Sequence, residues 1–436
     1  MSSLTEQSLL SASGRPLPRN WLAILVLVFV SQTISIITSY AAGFAMVWYI
    51  TATTGSAFWL SLSTLLSMLP AGLVSPFGGI IADRFNRKWL MVWADGGVGL
   101  VSLICTLISF IWAPSIALIL IIGFFRSLGQ GFHTPAAQAI TPLLVPDRQL
   151  VRANSFLQTV FSTAGIISPA LGILLLTATN LSFCFLLDAA GALLAVLVLL
   201  FVKVPTVHDF SADHQHVGHN LLAGWRVIQS DKSLLYLVLL AVLIMILDSP
   251  ISALFPLMTA QHFAGDGYMA ALSESVWGAL MLVGSLVMLA WGGGRRLALL
   301  IVVSSAASGL AIFLCGLLAP DQFPLFLVLC GLGAFFSAFY FGPLYTLIQR
   351  RTPVEKLGRV NGLMASASLL VSPLGLIISG LLADRTGVAL FFVICGLALT
   401  LLPVLAYWTK PLRALDRPAP PVEQLAESSD QPPDAG

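Results

Sequence analysis

The sequence GGIIADRFNRK, residues 78–88, places a dense cluster of charge between two long apolar segments of the chain. Such a cluster cannot lie in lipid, because a charged side chain at the bilayer centre costs about 2.5 kcal/mol or more. It therefore predicts a tight aqueous turn between two membrane-spanning helices. The charged residues of this turn are Asp83, Arg84, Arg87 and Lys88.

The composition extends this prediction to the whole chain. Of its 436 residues, 58% are hydrophobic and 9% charged, and the mean hydropathy is +0.94, outside the range of soluble domains. A helical span needs about 20 apolar residues. Twelve such stretches are predicted, at 21–49, 56–82, 89–111, 115–141, 154–178, 181–202, 233–257, 272–291, 297–318, 322–348, 359–382 and 388–408. We therefore expect an all-α polytopic membrane protein.

The placement of basic residues predicts the orientation. All but two of the 21 Lys and Arg residues fall in the N-terminal tail, the even-numbered connections or the C-terminal tail. The exceptions are Arg126, inside a span, and Arg385. By the positive-inside rule both termini are cytoplasmic, and the basic loops are topology signals rather than a nucleic-acid site. The first stretch is too long for a signal peptide and is expected to remain in the mature protein.

Repeated motifs predict two pseudo-symmetric six-helix bundles. The pattern Pro-x5-Arg-x-Asn begins at Pro146 and recurs at Pro353, an offset of 207 residues, and each copy leads into a span that carries Ser-Pro. Duplicated halves are usual in secondary transporters. We expect an N-terminal bundle at 1–202, a central cytoplasmic loop at 203–232, a C-terminal bundle at 233–409 and a disordered tail at 410–436.

Several motifs resemble those of the major facilitator superfamily. Gly79-x3-Asp83-Arg84-x-Asn86-Arg87-Lys88 is similar to the signature between its second and third helices, and Gly165-x-x-Ser168-Pro169-x-x-Gly172 is similar to its fifth-helix antiporter motif. Arg126 followed by Gln130-Gly131 resembles its fourth-helix arginine motif. The stretches 125–150, 251–257 and 382–388 resemble the macrolide-efflux branch of the drug:proton antiporters.

This resemblance implies a proton-coupled exporter of bulky amphipathic drugs in the cytoplasmic (inner) membrane. An exporter of a siderophore or lysolipid-like metabolite is the alternative. An enzyme is not expected, because the sequence contains no HExxH, Gly-x-Ser-x-Gly or Walker motif. The expected partners are the substrate, protons and membrane lipids, with no cofactor, no metal and a monomeric protein. Four histidines of the central loop are expected to be solvated: His208, His214, His216 and His219.

Charged residues within the spans are the candidates for proton coupling. Asp248 is preferred, because the seventh helix lines the central cavity in this fold family, and Arg126 and Asp188 are further candidates. For Asp188 a structural hydrogen bond is an equal alternative. Asp95 is predicted to join Gly79, Asp83, Arg84, Arg87 and Lys88 in a cytoplasmic gate.

Two further groups complete the predicted site. Helix 5 and helix 11 are expected to bend and rock at proline and glycine, with hinge residues Gly165, Ser168, Pro169, Gly172, Ser372, Pro373 and Gly375. The substrate cavity is predicted to be lined by Gln32, Tyr40, Phe44, Gln130, His133, Ser252, Trp277 and Tyr340. For the polar members the alternative is hydrogen bonding that only holds the bundle together.

Overall fold

Long α-helices account for nearly all of the described part of the chain. The computed structural model describes residues 21–84, 86–202, 225–352 and 354–416; within these ranges the side chains of 76–84, 138–139, 141–143, 147–158, 354–355, 357–359, 361–362 and 365–370 are outside the description. The predicted central loop, with its four histidines, and the predicted tail lie largely outside these ranges.

Twelve long helices within the described residues, numbered here in chain order, confirm the expected all-α architecture. They are α1 Trp21–Thr54, α2 Ala57–Arg84, α3 Arg87–Ile111, α4 Ile116–Leu144, α5 Asp147–Ala178, α6 Leu181–Phe201, α7 Lys232–Gln261, α8 Gly267–Trp291, α9 Leu297–Leu317, α10 Phe323–Arg351, α11 Val354–Thr386 and α12 Val388–Tyr407. Within the described residues, eleven of them are long and apolar enough to cross a membrane. The twelfth, α11, contains some of the side chains outside the description.

Short turns separate most of the consecutive helices in the described part of the chain. Asn86 caps α3 by accepting from the backbone N–H of Lys88 at 3.0 Å, and Ser115 and Asn180 cap α4 and α6 in the same way. These caps satisfy backbone donors that a helix leaves unpaired at its start. Gly55 and Gly387, at φ +58° and +85°, permit the sharp turns after α1 and α11.

The chain divides into two compact units. The first contains the described part of Met1–Asp213 together with Ala253–Gly278 and Leu376–Val388. The second contains the described part of His214–Ser252, Ala279–Gly375 and Ala389–Gly436. Parts of α7, α8 and α11 thus belong to the first unit, whereas the sequence prediction divides the chain into consecutive halves; that division stays a prediction.

In the first unit, α1, α3, α4 and α6 pack around two separate apolar clusters. We call the helix ends near the predicted cytoplasmic loops inner and the opposite ends outer. The inner cluster includes Val28, Met91, Ile140 and Leu199. The outer cluster includes Ile50, Cys105, Ile122 and Phe185. The polar side chains of the same four helices lie between these clusters in sequence, and we call them the polar layer: Gln32, Ser39, Asp95, Ser102, Arg126, His133 and Asp188.

Glycine allows a close helix crossing in each unit. In the first unit, a Cβ on Gly172 of α5 would overlap the carbonyl oxygen of Ala41 on α1. In the second, a Cβ on Gly375 of α11 would overlap the carbonyl oxygen of Ile246 on α7. Both glycines follow a Ser-Pro pair closely. The two crossings therefore repeat one packing device, as expected of a duplicated chain.

We predict that Gly172→Ala destabilises the protein by about 1–3 kcal/mol, because its methyl group must push α5 away from the backbone of α1. The matched control is Gly165→Ala on the same helix, where a Cβ would meet nothing within 4 Å. There the gain in helix propensity leaves stability equal or slightly higher. Melting temperatures of the purified proteins in detergent measure both effects. Equal melting temperatures for the two variants would contradict the close crossing.

Candidate functional site

Asp188 is the centre of a charged network in the polar layer. It lies on α6 with 1% of its surface exposed, and its carboxylate accepts from Ser39 Oγ at 2.8 Å and Ser102 Oγ at 2.6 Å. Arg126 of α4 completes an ion pair with it through Nη1. Arg126 Nη2 also donates to the Ser39 carbonyl at 2.7 Å. The network thus joins α1, α3, α4 and α6 around two opposite charges, which burial requires to be paired.

Asp95 forms a second group in the polar layer. Gln32 Nε2 donates to its Oδ2 at 3.1 Å, and His133 Nε2 lies 3.3 Å from its Oδ1. That last contact becomes an ion pair when the imidazole is protonated. The structure therefore brings Asp95, predicted for the gate, together with two residues predicted for the substrate cavity. Both roles remain predictions.

The predicted cytoplasmic gate falls only partly within the described residues. The side chains of Gly79, Asp83 and Arg84 lie outside the description. Arg87 begins α3, and Lys88 Nζ donates to the carbonyls of Leu200 at 3.0 Å and Val202 at 2.7 Å. Lys88 therefore supplies a positive charge to the C-terminal end of α6, where carbonyl groups are unpaired.

Two further carboxylates inside helices, unlike those of Asp95 and Asp188, have no partner among the described residues. Asp248 lies on α7 in the second unit, and Glu274 lies on α8 in the first. No described residue forms a hydrogen bond or an ion pair with either carboxylate. Tyr340 of α10, 6% exposed, lies within electrostatic range of Asp248, and its hydroxyl has no hydrogen-bond partner among the described residues. Unpaired carboxylates in apolar helices are costly and typically functional.

The antiporter-motif segment of α5 contacts two other helices. Ser168, fully buried, donates from Oγ to the carbonyl of Ile37 on α1 at 3.1 Å. On α8, Ser275 Oγ donates to the carbonyl of Ile166 at 2.8 Å. Pro169 lies inside α5 and has no N–H for the carbonyl of Gly165. The segment thus lacks one of its own helical hydrogen bonds and is held by side-chain hydrogen bonds to α1 and α8.

The corresponding residues of α11 also lie inside a long helix and next to a close helix crossing. Pro373 lies inside the helix, Ser372 is buried, and Gly375 makes the close approach to α7 described above. The predicted hinge residues therefore lie in helices of both units. That these helices bend and move stays a prediction.

The predicted cavity residues differ in exposure. Tyr40, at 42%, Gln130 and Ser252 are exposed; Phe44, His133 and Trp277 are partly buried; Gln32 and Tyr340 are buried. Ser252 Oγ donates to the backbone carbonyl of Asp248 at 3.2 Å, and the Trp277 ring packs 5.2 Å from that of Phe255. The exposed members therefore have surface free to contact a ligand, whereas Gln32 and Tyr340 are already surrounded by protein.

Asp384, at the outer end of α11, is a residue that sequence reasoning missed. Its carboxylate accepts from Ser56 Oγ at 2.7 Å and from the backbone N–H groups of Ala57 at 2.5 Å and Phe58 at 3.2 Å. It therefore caps the start of α2 with a negative charge, which the helix dipole favours. We call this contact the outer clamp.

Further contacts of the first unit surround the outer clamp. Ser61 and Ser379 share a hydrogen bond of 3.1 Å between their hydroxyls, and a Cβ on Gly380 would lie 3.0 Å from Cα of Phe58. The sequence carries a signal for the clamp. Residues 380–385 (GLLADR) repeat the pattern of residues 79–84 (GIIADR), and each copy lies at the C-terminal end of a long helix.

The chain is similar in sequence to a family of membrane transporters and to two of its named exporters. The sequence matches the model of the Major Facilitator Superfamily over residues 28–310 and 293–432. Macrolide efflux protein A of Streptococcus pyogenes is 33% identical over 399 residues, which cover 91% of this chain and 98% of that protein. Enterobactin exporter EntS of Citrobacter koseri is 31% identical, covering 86% and 90%.

A solved structure supports the same fold. A bacterial homologue of the human lysosomal transporter Spinster, in an inward-facing and occupied conformation, aligns with a TM-score of 0.70 over 92% of this chain and 100% of that one. At 14% sequence identity this likeness concerns the fold alone.

We predict that Arg126→Met lowers the free energy of unfolding by about 3–5 kcal/mol, because it leaves Asp188 charged and unpaired in an apolar helix layer. The double variant Arg126→Met/Asp188→Leu removes both charges and should recover much of that loss. Melting temperatures in detergent test this coupling. A double variant no more stable than Arg126→Met alone would show that the pair is not the source of the stability.

Proposed function

This chain belongs to the major facilitator superfamily, and from that premise we propose that it exports bulky amphipathic drugs of the macrolide type across the cytoplasmic membrane, driven by protons. The observation that carries the substrate class is the likeness to Macrolide efflux protein A, 33% identical over nearly the whole of both chains. That a multi-pass membrane protein of this family works in efflux transport follows from both named relatives. The predicted orientation places both termini in the cytoplasm.

An exporter of a siderophore-like metabolite is the second candidate, favoured by the likeness to the enterobactin exporter. The charges within the described helices support a cationic drug instead. Four carboxylates stand in the interior of these helices against one guanidinium, that of Arg126. Since a charged ligand in a low-dielectric site needs an opposite charge, this excess suits a substrate with a protonated amine better than an anion.

The proton is proposed to bind at Asp248. Asp188 accepts from three donors, so protonating it would sacrifice the ion pair with Arg126. Asp248 has no described donor to lose, and Tyr340, which lies within its electrostatic range, has a hydroxyl with no hydrogen-bond partner among the described residues. A carboxylate with so few constraints can take up a proton from one side of the membrane and release it to the other. One proton moving inward supplies about 2.3 kcal/mol per 100 mV of membrane potential.

The outer clamp is proposed to hold the transporter closed towards the outside. Asp384 and α2 must separate before cargo can leave between α2 and α11 on that side. Because the clamp itself consists of a few capping hydrogen bonds, breaking it has a modest cost. This makes the clamp suited to a contact that breaks and reforms in every cycle.

We predict that Asp248→Asn abolishes uphill transport of a radiolabelled macrolide into inverted vesicles under an imposed pH gradient, because the amide cannot carry the proton. Exchange of labelled for unlabelled macrolide without a gradient should persist. The control is Asp321→Asn, the same substitution at an exposed position between α9 and α10. Gradient-driven transport by Asp248→Asn at the wild-type rate would assign the proton to another group.

We predict that Asp384→Ala exposes the contact between α2 and α11. A helix cap contributes about 1 kcal/mol, so the open population should rise about fivefold. The measurement is the labelling rate of Ser61→Cys by a membrane-impermeant maleimide; the five native cysteines are buried. Asp321→Ala provides the matched control. Unchanged labelling in the Asp384→Ala background would contradict the role of the clamp.

A further inference from the structure

Glu274 is an intramembrane carboxylate that neither the ion-pair network nor the proposed proton site uses. It lies seven residues into α8, in the first unit, and no described residue pairs with its side chain. An unpaired carboxylate at this position is costly to desolvate, and a purely structural role does not offset that cost. The positive charge of a bound ligand would offset it.

The packing of α8 fixes the direction in which Glu274 points. Gly267, Ala271, Glu274 and Gly278 are spaced by three or four residues and so share one helix face. At one end of this face, a Cβ on Gly267 would collide with Ile173 of α5 and lie 2.8 Å from the indole nitrogen of Trp48 on α1. At the other, a Cβ on Gly278 would lie 3.0 Å from Ile166. Glu274 therefore lies on the face that packs towards α1 and α5.

The helical rise places aromatic side chains of α1 at the same depth. Glu274 is seven residues inward from Gly267, about 10 Å along the axis. The same distance inward from Trp48 on α1, which runs in the opposite direction, reaches the turn between Tyr40 and Phe44. Tyr40, Phe44 and Trp48 follow one another at intervals of four residues, so all three share a face of α1. Tyr40 is 42% exposed and Phe44 partly so, which leaves ring surface for a ligand.

We infer that Glu274, with Tyr40 and Phe44, forms a binding site for the cationic group of a lipophilic substrate, such as a protonated or quaternary amine. The carboxylate neutralises the charge, and the aromatic faces attract it while accommodating its apolar substituents. The inference deepens the proposed function and rests on it only in taking the bound cation to be exported cargo. It assigns cargo recognition to the first unit and leaves proton exchange at Asp248 in the second.

The site also lies beside the α5 hinge. Ser275, the residue after Glu274, donates to Ile166, three residues before Pro169. A cation bound by Glu274 would therefore add charge next to the segment of α5 that has lost a helical hydrogen bond. Binding and hinge movement share the same two helices, which gives the cargo a direct mechanical connection to the conformational change.

The test compares a charged and a neutral probe of similar shape on the purified full-length protein. Tetraphenylphosphonium is the cation and triphenylphosphine oxide the neutral counterpart, with binding followed by tryptophan fluorescence. Wild type and Glu274→Asp should bind the cation, whereas Glu274→Gln should bind it about tenfold or more weakly and bind the neutral probe unchanged. Melting temperatures confirm that the variants are folded.

Equal cation affinity in Glu274→Gln and wild type would overturn the inference, as would a wild-type protein that binds neither probe. Loss of binding of both probes in Glu274→Gln, with normal binding in Glu274→Asp, would also overturn the inference. The carboxylate would then maintain the structure of the pocket rather than recognise the positive charge. Failure of macrolide transport in vesicles, together with selective loss of cation binding in Glu274→Gln, would refute the proposed cargo and leave the cation site standing.

Discussion

The ion pair between Arg126 and Asp188 is the interaction on which the first unit depends. Two charges inside apolar helices are tolerated only when each neutralises the other and the remaining donors and acceptors are satisfied. Ser39 and Ser102 complete this requirement from α1 and α3. The polar layer thus fixes the relative register of four helices, while the apolar clusters on either side of it supply packing without specifying register.

This fixed core contrasts with the groups that have few constraints. Asp248 and Glu274 have no described partner, the α5 hinge has lost a backbone hydrogen bond, and the outer clamp consists of capping bonds at one helix end. A transporter needs both kinds of element, because movement requires a rigid body to move against and ligand or proton binding requires groups whose partners can change. Recognition, proton exchange and closure are thus assigned to three separate sites, at Glu274, Asp248 and Asp384.

The sequence predicts the helices well and the site less completely, for a physical reason. Span length and the cost of charge in lipid are properties of single segments, so the twelve helices and the turn after α2 could be derived directly. Pairing is a property of several helices together. The sequence named Arg126, Asp188 and Asp95 as candidates, but it could not show that Arg126 pairs with Asp188 or that Gln32 and His133 contact Asp95, because nothing in one helix reveals which side chains of other helices face it. Asp384 was missed because two of its three partners are backbone N–H groups of another helix, and the repeated GLLADR pattern does not reveal which helix start the carboxylate caps.

Proton movement driven by the cargo itself would show directly whether export is coupled to protons. In proteoliposomes of the purified protein that enclose a pH-sensitive dye, an imposed macrolide gradient, with no initial pH difference, should drive protons in the opposite direction to the drug. We expect a pH change that requires the protein and vanishes with a protonophore. Macrolide movement without any pH change would show that export is not proton-coupled and would contradict the account.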